Sequence, residues 1–101
     1  MTLQSPGFSY KAEMGFTHRE LLKGLPSAVE PYTVSRISDC IYEMTSEDRL
    51  VRLTMQPERV RKIASIRLPI TDVELLFFGF EQNQYDAFMW RFKKYLQRGG
   101  G

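Results

Sequence analysis

Residues 73–98 read VELLFFGFEQNQYDAFMWRFKKYLQR. Eight of the thirteen aromatic side chains fall in this quarter of the chain: Phe77, Phe78, Phe80, Tyr85, Phe88, Trp90, Phe92 and Tyr95. Val73 to Phe80 is interrupted only by Glu74 and Gly79, and an apolar run of about eight residues bounded by turn residues predicts a strand covered on both faces. Pro69 to Asp72 supply the turn before it. After Phe80 the period changes. Glu81 and Gln84 have the spacing of a capping box, and Phe80 and Tyr85 that of a hydrophobic staple. Tyr85, Phe88, Phe92 and Leu96, with Met89 and Tyr95, then form one helical face. Lys93, Lys94 and Arg98 suit the negative end of the helix dipole, and Gly99 to Gly101 end the helix. Trp90 lies off this stripe, about 100° per residue placing it with Asp86, Lys93 and Gln97 on the polar flank.

Working outward, Pro57 to Leu68 fits a strand or a helix almost equally; a strand from about Lys62 to Leu68, folded back through Pro69–Asp72 onto Val73–Phe80, is preferred. Before it, Tyr32–Ile37, Cys40–Met44 and Arg49–Met55 read as short strands joined by polar turns at Ser38–Asp39 and Thr45–Asp48, the pattern of an antiparallel meander. Upstream, Thr17-His-Arg-Glu20 is a capping box with Phe16 and Leu21 as its staple. The first helix follows, with Leu21, Leu22, Leu25 and Ala28 or Val29 inward, Gly24 weakening its middle and Pro26 ending it near Leu25 or starting a second short turn. Residues 1–15 show no periodicity and read as a flexible N-terminal arm, 16–98 as a single domain, and 99–101 as a flexible tail. The expected fold is α+β: two layers, an antiparallel meander sheet of four or five strands, with the N-terminal and C-terminal helices on one face.

The 101 residues make one domain. A net charge of +2 neither requires nor excludes an anionic partner. The single cysteine, Cys40, excludes an internal disulfide framework and fits a reducing cytoplasm. No apolar run approaches the length of a membrane span, and the N-terminus lacks the basic start and apolar centre of a signal peptide.

Catalytic chemistry is not visible. His18 is the lone histidine and has no companions at metal-ligand spacing. Cys40 sits beside Asp39, which raises rather than lowers a thiol pKa, and reads as a small core residue. No phosphate-binding glycine loop, HExxH or GxSxG occurs. Neither a catalytic residue, a cofactor nor a metal is therefore expected.

Binding surfaces are the alternative. Trp90, flanked by Lys93 and Gln97, is the expected contact with a protein partner or a second copy of the chain, because tryptophan is enriched at interface hot spots. A small apolar ligand held between sheet and C-terminal helix by Met44, Met55 and Met89 is the second reading. Nucleic acid bound through Arg49, Arg52, Arg61, Lys62 and Arg67 is the third, although no aromatics interleave with those cations.

Two resemblances complete the reading. The end of the chain, Leu96-Gln-Arg-Gly-Gly-Gly101, is similar to the diglycine tails of ubiquitin-like proteins and sulfur carriers, which implies a carrier role for the terminal glycine; those folds place a strand before the tail, where this chain places a helix. FTHRELL, RLPITDVELLFFGF and YLQRGGG together resemble a group of short uncharacterised bacterial proteins, which implies a bacterial cytoplasmic protein and no particular activity.

Overall fold

A computed structural model describes residues 5–96. The elements, in chain order, are β1 (Phe8–Met14), α1 (His18–Ala28), β2 (Thr33–Arg36), β3 (Ile41–Ser46), β4 (Arg49–Met55), β5 (Arg59–Ile63), β6 (Ile66–Phe78) and α2 (Gln82–Tyr95). All strand pairs are antiparallel. The sheet order is β1-β6-β4-β3-β2, with β5 paired to β6 beyond the end of β1. Both helices pack on one face, which gives the two-layer α+β architecture, and β2-β3-β4 is the expected meander.

The core is one cluster. Val73, Leu75 and Phe77 of β6, Val51 and Leu53 of β4 and Met44 of β3 face Leu21, Leu25 and Ala28 of α1 and Phe88, Met89 and Phe92 of α2. Thr17 caps α1 as its spacing requires: its Oγ1 accepts from the Glu20 amide at 3.1 Å, and Glu20 Oε1 accepts from the Thr17 amide at 3.0 Å. At α2, Gln84 Oε1 accepts from the Glu81 amide at 2.9 Å. Gly24 lies where the two helices meet. A Cβ there would lie 2.9 Å from Leu96 Cδ2, so the missing side chain lets the end of α2 approach α1. α1 continues through Pro26 to Ala28 rather than stopping at Leu25.

Five expectations are corrected. Seven residues of the stretch read as a flexible arm form β1: Phe8, Tyr10, Ala12 and Met14 alternate with Ser9, Lys11 and Glu13, and the strand pairs with β6 from Phe8↔Phe77 to Met14↔Thr71. A period of 2 was present in these seven residues; Gly7 and Gly15 obscured it. Next, Pro69–Asp72 is not a turn. It lies inside β6, a single strand of 13 residues, and the chain reverses at Ala64-Ser65, where Ala64 takes φ of 55°. Proline is tolerated within β6 because no described residue pairs with the far edge of the strand beyond Thr71. Third, β6 is covered on one face only. Glu74, Leu76 and Phe78 point to the face without helices and are half-buried. Finally, Cys40 is exposed in the β2–β3 turn, and Tyr95 is 47% exposed, with the Arg91 guanidinium 4.5 Å over its ring.

Candidate functional site

β4 and β5 run along the same side of β6. Between Met55↔Val73 and Arg59↔Ile70 their side has one residue more than β6 has, as in a β-bulge. The extra residue lies in Gln56–Glu58, and the first turn of α1 holds this bulge: the His18 ring Nε2–H donates to the Gln56 carbonyl at 2.7 Å, and the His18 amide donates to Glu58 Oε2 at 2.7 Å. Beyond the bulge, β5 and residues 66–70 of β6 form a two-stranded arm. At about 3.4 Å per residue the whole of β6 spans roughly 44 Å, which accounts for the elongated outline of 50 × 25 × 20 Å.

The arm is fastened at its root by charge. Arg59 donates to both carboxylate oxygens of Asp72, each at 3.0 Å, and to Glu13 Oε2 at 2.8 Å. Arg61 donates to Glu13 Oε1 at 2.6 Å. Three strands are thereby joined. A groove of about 460 Å³ opens beside this network, lined by Lys11, Glu13, Gln56, Asp72 and Glu74 among others. The hydrogen bonds from Arg59, and secondarily Arg61, hold the Glu13 carboxyl below its ordinary range; those from Arg59 do the same for Asp72. Carboxylates with a depressed folded pKa stabilise the fold above the unfolded pKa, and that contribution is lost as pH falls through the folded value. Acidification below the usual carboxylate range should therefore loosen the arm, raising amide exchange in residues 59–70. In Arg59→Gln both carboxyl titrations, followed by NMR, should move up toward ordinary values. Unchanged titrations in that variant would mean that another group sets them.

The outer arm is apolar without being covered. Register places Ile63, Ile66 and Leu68 on one face with Arg61, and Val60, Lys62, Arg67 and Pro69 on the other. Val60 is 59% exposed, Ile63 53%, Ile66 58% and Leu68 41%. Contiguous exposed apolar side chains mark contact sites, whereas single ones are ordinary.

The five cations proposed from sequence are not gathered into one patch. Arg49 is on the helix side of the sheet, 5.6 Å from the Tyr32 ring centroid and paired with Glu47 at 3.1 Å. Arg52 is held by Glu43 at 2.9 Å on the open face, and Arg61 belongs to the root network. Lys62 and Arg67 face each other across the arm, and neither has an acidic partner among the described residues. Their chain separation concealed this pairing; only the turn at Ala64-Ser65 creates it.

Trp90 is 65% exposed on α2, with Lys94 Nζ 4.8 Å from its ring. Lys93 turns instead to the Tyr10 ring of β1, at 5.3 Å. Gln97 lies outside the described residues, as do Arg98 and the terminal glycines. Trp90→Ala should change stability by less than about 1 kcal/mol, as at other exposed sites; thermal melts check this, and a loss of several kcal/mol would place the ring in the core. Met44, Met55 and Met89 are core residues, exposed by 5% or less. The cleft of about 300 Å³ beside α2 is lined by none of them; Val29, Tyr32, Arg49, Ala87, Phe88 and Arg91 are among its walls. No group of three metal-ligating side chains occurs among the described residues, and none of the helices described is long and apolar enough to cross a membrane. No family model matches the chain, and no curated protein matches it in sequence.

Proposed function

We propose that this chain is a non-catalytic interaction protein, that its contact element is the β5–β6 arm, and that the partner is a second copy of itself. One observation carries the reading: Ile63, Ile66 and Leu68 form a row on an arm that no part of the described chain covers. Trp90 is a secondary candidate, since it is exposed on α2 outside the apolar row of the arm. The groups best suited to chemistry are committed elsewhere. His18 holds the bulge, and Glu13 and Asp72 hold Arg59, which favours a structural use of each. Burying the row contributes about 25 cal/mol per Å² of apolar area. Sedimentation velocity on the full chain tests the proposal. The wild type should sediment as a dimer at micromolar concentration, and Ile63→Asp/Ile66→Asp as a monomer with an unchanged circular dichroism spectrum. A wild type that stays monomeric at every concentration refutes self-association.

A second reading rests on the charge of the same arm. Residues 59–71 contain Arg59, Arg61, Lys62 and Arg67 and no acidic residue, and Lys62 and Arg67 lack acidic partners among the described residues. A polyanion such as nucleic acid would contact this face. Its affinity would fall steeply with salt, whereas association through the apolar row would not.

A further inference from the structure

The two copies have a geometry written into the open face of β6. Even-numbered residues of the strand point away from the helices, because Val73, Leu75 and Phe77 point toward them. Along that face come the exposed Ile66 and Leu68 and the buried Ile70, then Asp72 and Glu74, then Leu76 and Phe78. Apolar ends thus flank a charged middle. The middle is electrically balanced: Lys11, Arg59 and Arg61 face Glu13, Asp72 and Glu74, and the ion pairs among them are 2.6–3.6 Å long. At the body end Phe78 is opposite Leu50 across the strand pair, and Leu50, Leu76 and Phe78 are only half-buried.

Such a pattern is self-complementary under a two-fold rotation. An isologous contact requires that residue i meet j and j meet i. With the axis through Asp72, Leu68 of one copy meets Leu76 of the other, and Ile66 meets Phe78. Asp72 meets its own counterpart, but each copy carries its own bidentate Arg59, so the approach of the two carboxylates is compensated. We infer that two copies pack open face to open face, with β6 antiparallel to β6 and each arm lying over the Leu50–Leu76–Phe78 patch of the other. The inference rests on the self-association proposed above and adds the register. A face two strands wide at the arm and roughly 44 Å long covers on the order of 400 Å² before side-chain relief is counted, about half of the ~800 Å² per partner of a standard interface. Lys62, Arg67 and Val60 remain outside the pair, on the opposite face of the arm.

Cross-linking tests the register. Facing sheets lie about 10 Å apart, too far for a direct disulfide, so a short bismaleimide is the probe, in a Cys40→Ser background. A mixture of Leu68→Cys and Leu76→Cys chains should give covalent heterodimers. Either variant alone should give almost none, because its two thiols would lie eight residues apart along the strand, roughly 27 Å. Separately, Leu76→Asp, remote from the arm, should raise the dimer Kd about tenfold or more, as Leu68→Asp does, with both variants folded by circular dichroism. If the wild type is a dimer that Ile63→Asp/Ile66→Asp dissociates, yet Leu68→Cys links to itself or Leu76→Asp has no effect, this register is wrong while self-association through the arm stands. A monomeric wild type that retains a labelled DNA duplex through Lys62 and Arg67 overturns both.

Discussion

Phe77→Ala should destabilise the protein by about 3–5 kcal/mol, the usual cost of emptying a phenylalanine site in a core. That is a large share of the 5–15 kcal/mol available to a domain. Phe77 is fully buried. Its ring meets Phe80, Tyr85 and Phe88 edge-on, at centroid distances of 5.1, 4.8 and 5.2 Å, so strand β6 and helix α2 share one aromatic cluster. Aromatic pairs in this geometry add about 0.5–1.5 kcal/mol beyond their buried area. Phe92→Ala should fall in the same range, being 1% exposed and stacked on Phe88 at 6.0 Å. Urea denaturation measures both. Wild-type midpoints for the two variants would mean that the β6–α2 contact is not the centre of the core.

Gly79→Ala should cost about 2–5 kcal/mol for a different reason. Gly79 joins β6 to α2 with φ of 79°, and a Cβ on it would sit 2.6 Å from the backbone carbonyl oxygen of Asp48. The left-handed conformation costs alanine about 1–2 kcal/mol, and moving the β3–β4 turn out of the way adds about 1–3 kcal/mol. Gly24→Ala is the control. Its clash is with the end of a flexible leucine side chain, and alanine regains about 1 kcal/mol of helix propensity, so its effect should be near zero. Equal losses at the two sites would show that backbone conformation is not what selects glycine at position 79.

The elements legible along the chain are those whose signals are local. Thr17 and Glu20 are three residues apart, and their reciprocal hydrogen bonds follow from that spacing alone. The stripe Phe88, Met89, Phe92 and Leu96 followed from helical period, as did the place of Trp90 on the polar flank; that no other described segment covers the ring was decided by the tertiary structure. The meander of β2, β3 and β4 followed from alternating side chains between polar turns. The tertiary structure decided what depends on pairing across the chain. β1 is short, and its seven residues become a strand only because β6 offers an edge. The reversal falls at Ala64-Ser65 rather than at Pro69–Asp72, since pairing along β5 and β6 outweighs the turn preference of proline and aspartate at the root of the arm. The candidate surface was illegible for the same reason. Ile63 and Ile66 become neighbours, and Lys62 meets Arg67, only through that turn, while Glu13 reaches Arg59 across 46 positions of sequence. Local periodicity records which way a side chain points; which strand lies beside it is settled by long-range hydrogen bonding, and that settled where this chain exposes its apolar arm.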